Sequence, residues 1–448
     1  MGTGKTKVCI DTAAKLYRER EIDGLMVLAP NSVHFNWKTD ELPAHLPDDL
    51  AERARVHVYQ TSRSGTLWHK NEVRETIRHD GLAVMLMSYN AVMTDAGRNA
   101  LWSMLKKRRC LYVLDESAMI KSPSAKRTTR VVASGAYAPY RRVLNGTPVA
   151  NGPFDVYSQL RFLDPGFWLQ HDIGSAQVFR HTFGEFVRFT DGNGREQEFV
   201  KRYRQLNVLH DWLKPVSSRV LKEDVLDLPP KLYTKRYFEL TGEQRRVYDE
   251  LKDEFMVELE GGHLTTAPLI IQRMTRFQQI TGGYLPSDDG RLHRFEQNPR
   301  LGVLEEFRDE CPHQAIVWAE RTEDVDLIMA TLGRSAARHD GKCSDEQREQ
   351  AKTRFKSGDA KWFVAKPSVG GMGLTLTQAG SVFFYNTSFN LLQRQQAEDR
   401  AHRYGLDHPV TYVDSIARNT LDEAIIRSLR EKFDVGTQVT GDRVREWL

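Results

Sequence analysis

The chain has 448 residues, which is enough for two or three hydrophobic cores, and its 40% hydrophobic and 28% charged residues are typical of a soluble globular protein. The net charge of +4 neither requires nor excludes a nucleic-acid partner. No apolar run approaches the roughly 20 residues of a membrane-spanning helix, and four scattered cysteines without a C-x-x-C pair argue against a zinc site or a disulfide framework, so we expect a cytoplasmic protein.

The first six residues contain the second half of a phosphate-binding loop. Gly4-Lys5-Thr6 ends the pattern G-x-x-x-x-G-K-[ST], in which backbone N–H groups surround phosphate oxygens, the lysine reaches the terminal phosphates and the hydroxyl binds Mg²⁺. A helix over about 5–17 would point its positive end at the same phosphates. The pattern's first glycine would lie before residue 1, so we expect the chain to be truncated within this loop. The residues that we assign to the nucleotide are Gly2, Thr3, Gly4, Lys5 and Thr6, with Thr6 also a ligand of Mg²⁺.

Short apolar runs then alternate with helical segments. The strand-like runs are 24–29, 55–59, 82–87, 110–114 and 142–145. This β-α alternation predicts a parallel sheet with helices on both faces, in which functional residues gather at the carboxyl ends of the strands. The segments that follow three of these runs are Pro30-Asn31-Ser32, Ser88-Tyr89-Asn90 and Asp115-Glu116.

Asp115 and Glu116 end a short apolar run, which is how a buried parallel strand brings acids to the edge of a sheet. Asp115 would hold Mg²⁺, and Glu116 would orient or deprotonate the attacking water. The alternative is that these are two surface acids in a turn. The phosphate-loop Lys5 favours the catalytic interpretation over this alternative.

The pattern changes between about 154 and 228, where aromatic and basic residues replace strand alternation, and we predict a mostly helical insertion rather than sheet. Leu228-Pro229-Pro230-Lys231 is a rigid extended break and our candidate domain boundary. Thr241 and Gln244 predict the start of a long helix to about Leu259. A second α/β alternation begins beyond 298, with strands near 315–318, 362–365, 382–385 and 410–413 and helices near 323–332 and 345–356. We therefore divide the chain into a first lobe (1–165), helical protrusions with a hinge (166–297) and a second lobe (298–448).

Several motifs in this order resemble those of the superfamily 2 (DEAD/DEAH-box) helicases, and among them the Swi/Snf-type DNA-dependent ATPases with their bacterial and phage relatives. The matching segments are 144–151, 225–231, 240–244, 370–374 and 396–405. The resemblance implies two RecA-like lobes with ATP and Mg²⁺ in the cleft and double-stranded DNA on the adjoining surface. It assigns Asn145, Gly146 and Thr147 to coupling. Ala118 departs from the histidine or glutamine of many relatives, so we expect the link between the acids and the coupling motif to be weaker or replaced.

The segment 396–405 supplies the second half of the expected site. Gln396, Arg400 and Arg403 are spaced at i, i+4 and i+7, which predicts one face of a helix. From that face two guanidiniums could reach the γ-phosphate across the cleft as arginine fingers.

The DNA contacts that we assign involve loops of both lobes: Pro30, Ser32, Ser88, Tyr89, Asn90, Gly370 and Gly371, with Gly373 on the nucleotide side. By their position in the family, Ser88 and Asn90 are expected at phosphates. Trp37 and Tyr89 could stack on bases or could belong to the core.

These features together predict a monomeric, ATP-dependent translocase on double-stranded DNA. A strand-separating or branch-migrating helicase is one alternative. Because the phosphate loop is incomplete, a non-catalytic nucleic-acid-binding protein is another. Double-stranded RNA stays open as the track.

Overall fold

The computed structural model describes residues 3–31, 33–190, 196–260, 267–287, 291–370 and 374–441. Four residues of the predicted sites, Gly2, Ser32, Gly371 and Gly373, lie outside these ranges. In the described part of the chain, no helix combines the length and the apolar character that crossing a membrane requires.

The first lobe is built on a five-stranded parallel sheet with the strand order β2-β3-β1-β4-β5. Its strands are β1 (Gly24–Ala29), β2 (Ala54–Val58), β3 (Leu82–Ser88), β4 (Cys110–Asp115) and β5 (Tyr140–Leu144). The helices of this lobe are α1 (Lys5–Arg18), α2 (Val33–Asn36), α3 (Leu42–His45), α4 (Asp48–Ala51), α5 (Leu67–Arg78), α6 (Asp95–Lys107), α7 (Lys126–Gly135) and α8 (Val156–Leu163). A π-helical turn, Trp37–Glu41, joins α2 to α3.

Successive side chains of the central strands enter two different cores. Met26 and Leu28 of β1 pack in the core that includes Leu101 of α6, whereas Leu25 and Val27 pack in the core that includes Ile10 of α1. Every residue of β1 and β3 is buried, since the sheet is covered by helices on both faces. The doubly covered parallel sheet predicted from the alternation is confirmed.

The segment between the lobes contains α9 (Ala176–Phe183), β6 (Gly184–Thr190), β7 (Glu196–Tyr203), α10 (Leu206–Leu213) and α11 (Lys222–Val225). Strands β6 and β7 form an antiparallel hairpin, so the prediction of a helical insertion without sheet was wrong here. The hairpin is stabilised by cross-strand pairs: Arg202 lies 2.7 Å from Glu185, and Arg188 lies 2.8 Å from Glu198. The aromatic and β-branched residues of β6 favoured a strand, and this signal was outweighed by the basic residues around them.

The second lobe has a six-stranded parallel sheet with the strand order β12-β13-β11-β14-β15-β8. Its strands are β8 (Lys231–Phe238), β11 (Ala315–Trp318), β12 (Ala336–His339), β13 (Trp362–Ala365), β14 (Ser381–Phe384) and β15 (Val410–Ala417), and a small hairpin is formed by β9 (Tyr284–Pro286) and β10 (Leu292–Arg294). The helices are α12 (Gly242–Glu260), α13 (Ala267–Thr281), α14 (Pro299–Glu310), α15 (Thr322–Leu332), α16 (Asp345–Lys356), α17 (Pro367–Gly370), α18 (Leu391–Glu398) and α19 (Leu421–Thr440). Because β8 pairs with β15, this sheet takes a strand from the segment that we assigned to the hinge.

Helix α19 contacts both parts of the molecule. Ile425 and Leu429 pack against Leu391 of the second lobe. At the other end of the helix, Val439 lies in an aromatic core with Phe179 and Phe183 of α9. This helix therefore joins the second lobe to the segment between the lobes.

Candidate active site

The phosphate-loop residues lie at the start of α1, the first helix of the chain. Gly4 precedes the helix with φ +81°, a left-handed conformation that favours glycine, and a Cβ added there would meet no atom within 4 Å. No side chain caps this helix start. Its backbone N–H groups and the positive end of the helix dipole are therefore available to an anion. Lys5 and Thr6, both half-buried, form the first turn.

Asp115 lies at the end of β4, and each of its three oxygens accepts a hydrogen bond. The indole N–H of Trp37 donates to Oδ2 at 2.9 Å, and the backbone N–H of Glu116 donates to Oδ1 at 3.1 Å. The hydroxyl of Tyr89 donates to the backbone carbonyl of Asp115 at 2.9 Å. Burial raises the pKa of the Asp115 carboxyl, and the Trp37 hydrogen bond and the nearby Lys5 oppose that rise.

Glu116 stands next to Asp115 in a left-handed conformation, φ 53° and ψ 55°, which is uncommon outside glycine. Burial, and then the charge of Asp115, raises the pKa of Glu116 to about 7, although Lys5 and Arg400 oppose the rise. Among the described residues, its Oε2 atom has no hydrogen-bond partner. A carboxyl group with a pKa near neutrality is suited to accept a proton from water.

Arg400 of the second lobe approaches Glu116, but not from a helix face. Helix α18 ends at Glu398, so Arg400 and Arg403 lie in the turns after it, and the predicted helical stripe with Gln396 was wrong. Arg400 is 5% exposed and interacts electrostatically with Glu116, while Arg403 interacts with Glu41 of the π-helical turn. The structure thus brings Arg400 to the site of Glu116 in spite of the shorter helix.

Contacts after Glu398 explain why the helix stops. The Lys222 ammonium donates to Asp399 Oδ1 at 2.7 Å and to the backbone carbonyl of His402 at 2.9 Å. Arg400 donates from Nε to the Gln396 carbonyl at 3.0 Å and satisfies the end of the helix. Burial raises the pKa of Asp399, but Lys222 and Lys231 outweigh burial and hold the pKa well below its usual range. These pairings across the fold override the helical spacing of the sequence, and Lys222 was not among the residues that sequence reasoning selected.

The coupling motif connects the acids to the second lobe. The contact in that lobe is Gln395, which sequence reasoning also missed. The Ser117 hydroxyl donates to Gln159 Oε1 at 2.5 Å, and Asn145 Nδ2 donates to Ser117 Oγ at 3.3 Å. Thr147 is bonded through its N–H to Asn145 Oδ1 at 2.9 Å and through its hydroxyl to Gln395 Oε1 at 2.8 Å. Ala118 makes no side-chain hydrogen bond, so Ser117 and Gln159 provide the replaced link. Gly146 lies between Asn145 and Thr147 and is half-buried.

Most of the described DNA-contact candidates in the first lobe are enclosed. Pro30 and Ser88 are buried, and the Ser88 hydroxyl accepts the N–H of Ala91 at 3.2 Å. Tyr89 is 1% exposed, so stacking of its ring on a base does not fit this structure, and the core alternative applies. Asn90 is exposed, and its Oδ1 accepts from Arg127 at 2.9 Å.

The chemistry of this cleft suits a nucleotide with Mg²⁺. Mg²⁺ is commonly bound through one or two carboxylates together with substrate phosphates. Asp115, the Thr6 hydroxyl and the open helix start beside Gly4 provide that donor set, and Glu116 has an unpartnered carboxylate oxygen. In the described part of the chain, no group of three or more His, Cys, Asp or Glu side chains forms a separate metal site.

Residues 1–281 match the family described as SNF2-related domain, and residues 299–405 match the family described as helicase conserved C-terminal domain. The chain is 27% identical over 382 residues to the TATA-binding protein-associated factor mot1 of Aspergillus fumigatus, covering 74% of this chain and 20% of that protein. It is 25% identical over 461 residues to the mouse (Mus musculus) chromodomain-helicase-DNA-binding protein 1-like, covering 98% of this chain and 47% of that protein. The chain therefore spans less than half the length of these relatives. Among solved structures, the Sulfolobus solfataricus SWI2/SNF2 ATPase core in complex with dsDNA is similar at 23% identity over 99% of this chain and 92% of that chain, with a TM-score of 0.38.

Proposed function

We propose, on the premise that this chain belongs to the SNF2-related family of helicase-like ATPases, that it hydrolyses ATP between its lobes and moves along double-stranded DNA. The observation that carries the proposal is the meeting of residues from both lobes. Glu116 of the first lobe interacts electrostatically with Lys5 and Asp115 of the same lobe and with Arg400 of the second lobe. An ATPase whose two lobes close around one nucleotide needs site residues from both lobes.

Each residue has a distinct role in this proposal. Lys5 and the N–H groups at the start of α1 bind the terminal phosphates. Thr6 and Asp115 would hold Mg²⁺, which neutralises developing charge on the phosphates. Glu116 orients the attacking water and accepts its proton. Arg400 and Arg403 stabilise the charge of the transition state from the second lobe, a contribution worth about 10³–10⁵ in rate where it has been measured.

The hydrogen bond between Thr147 and Gln395 supports a link between hydrolysis and lobe movement. Thr147 belongs to the loop after β5 and Gln395 to α18, so this bond joins the two lobes and would break if they moved apart. A nucleotide that binds the closed arrangement better than the open one shifts the population towards it. Alternation between the open and the closed arrangement would step the lobes along the DNA. The name of the mouse relative also includes DNA binding, which favours DNA as the track.

The proposal is tested by measuring ATP hydrolysis of the chain with and without duplex DNA. We expect stimulation by the duplex. Glu116→Gln should abolish turnover and retain ATP binding, whereas Glu75→Gln, at an exposed position on α5, should behave like the parent. Comparing the stimulation by duplex RNA with the stimulation by duplex DNA identifies which nucleic acid is the track. Failure of the parent chain to hydrolyse ATP with either duplex would overturn the proposal in favour of a non-catalytic binding protein.

A second assay separates translocation from unwinding. A translocase displaces a third strand from a triplex without releasing the strands of the duplex. Release of a labelled strand from a plain duplex would instead support the strand-separating or branch-migrating helicase.

A further inference from the structure

The two aromatic residues behind Asp115 make contacts that the motifs do not assign. Trp37 and Tyr89 are each 1% exposed. Trp37 donates its indole N–H to the carboxylate oxygen Oδ2, and Tyr89 donates its hydroxyl to the backbone carbonyl of the same residue, each at 2.9 Å. Both residues therefore direct their polar atoms at Asp115 and bury their rings in the core.

The backbone around Trp37 is also unusual. Trp37 begins the π-helical turn that ends at Glu41, and the N–H of Leu42 closes this turn on the carbonyl of Trp37. Single π-helical turns are rare and occur frequently at functional sites. Here the turn places the indole in the core with Leu111 and Val113 of β4, the strand that ends in Asp115.

The donors around Asp115 restrict the carboxylate in two ways. Trp37 occupies one side of Oδ2, and the N–H of Glu116 occupies one side of Oδ1. With one donor on each oxygen, the plane of the carboxylate is fixed and its remaining lone pairs have a defined direction. Partners of this kind commonly orient the carboxylate ligands of a metal ion.

We propose that Trp37 and Tyr89 are positioning residues that hold Asp115 in the orientation in which it receives the Mg²⁺ of the nucleotide. The inference rests on the proposed function, since it concerns the same site. It gives these aromatic residues a role behind the nucleotide and none in stacking on bases. Trp37 acts on the carboxylate itself, and Tyr89 acts on the backbone that carries it.

The test uses variants that remove one donor and keep the ring. Trp37→Phe removes the indole N–H, and Tyr89→Phe removes one hydroxyl. The chain offers a matched control for each. Trp168→Phe also removes a buried indole hydrogen bond, of 2.8 Å to the Tyr157 carbonyl. Tyr112→Phe removes a buried hydroxyl that lies 3.2 Å from Ser134 Oγ.

The readout is the dissociation constant of Mn²⁺ from the chain saturated with ADP, measured by electron paramagnetic resonance. We expect Trp37→Phe to raise the Mn²⁺ dissociation constant about tenfold, the lower end of the range for such partners. Tyr89→Phe should raise it by a smaller factor, and both controls should match the parent. In EDTA all five proteins should bind ADP equally, and their affinity for duplex DNA should be the same.

Each outcome decides a different question. If the parent binds Mn²⁺ with ADP and neither Trp37→Phe nor Tyr89→Phe weakens that binding, the positioning role is refuted and the proposed function stands. If DNA affinity falls instead, the aromatic residues act towards DNA. If the parent binds no Mn²⁺ with ADP, the proposed function fails together with this inference. Should Trp37→Phe not fold, Tyr89→Phe alone decides, because it changes a single hydroxyl.

Discussion

The hydrogen bond between Thr147 and Gln395 joins the two lobes, and its removal should weaken the coupling of hydrolysis to DNA. Thr147→Val keeps the size and branching of the side chain but lacks the hydroxyl that donates to Gln395 at 2.8 Å. The N–H of residue 147 remains bonded to Asn145 Oδ1, at 2.9 Å in the parent. The substitution therefore removes the contact between the lobes without releasing the loop.

The size of the effect follows from the environment of the bond. Both side chains are half-buried and neutral, so the bond contributes a net free energy of about 0.5–1.5 kcal/mol. A difference of about 1.4 kcal/mol is tenfold in an equilibrium constant. The arrangement in which the lobes are joined by this bond should therefore be populated about 2- to 12-fold less relative to one in which they have moved apart. The loss should appear in the DNA-stimulated kcat, because the substitution leaves Lys5 and Thr6, the proposed nucleotide-binding residues, unchanged.

A double-mutant cycle isolates this contact. Thr147→Val, Gln395→Leu and the double variant should lose the same amount of DNA-stimulated turnover, because each removes the same bond. Thr147→Ser keeps the hydroxyl and serves as the control. Additive losses in the double variant, or parental turnover in Thr147→Val, would refute the reasoning.

Three further predictions concern the ion pair after α18, a buried histidine and the phosphate loop. Lys222→Met should lower the free energy of unfolding at pH 7 by about 2 kcal/mol against the exposed control Lys70→Met, since it leaves Asp399 with one fewer partner. The difference between the urea midpoints of these two variants should narrow below about pH 4, because the lowered pKa of Asp399 stabilises the fold only at pH values where this carboxyl has lost its proton in the unfolded chain. Burial, and then His69, lowers the pKa of His57 to about 4, so acidification from pH 6.5 towards 4 should destabilise the fold, by about 2 kcal/mol at pH 5. His57→Leu should lose less stability than the parent between pH 7 and pH 5 in urea titrations, and an equal loss in both would contradict this assignment. Gly4→Ala should raise the KM for ATP about 5- to 30-fold, because φ +81° costs an L-residue about 1–2 kcal/mol. Gly65→Ala, where φ is not positive and a Cβ also meets no atom within 4 Å, should leave the KM unchanged.

Much of the fold could be predicted because its signals are local. Helix α16 spans the predicted residues 345–356, and β11 and β13 begin and end where the apolar runs do. The hairpin of β6 and β7 was missed because charged cross-strand pairs hide its alternation. Strand β8 was missed because it pairs with β15, and nothing near it in sequence indicates that neighbour.

The sequence by itself determined the two α/β lobes and the acids at the end of β4, because apolar periodicity and strand-end position depend on neighbouring residues. Only the tertiary structure decided which side chains surround those acids. Trp37 reaches Asp115 across 78 residues, and Thr147 reaches Gln395 across 248. Helical spacing likewise indicated a continuous helix through Arg403, whereas the pairing of Asp399 with Lys222 ends it at Glu398. Such contacts depend on how distant elements pack, and short-range patterns carry no record of that packing.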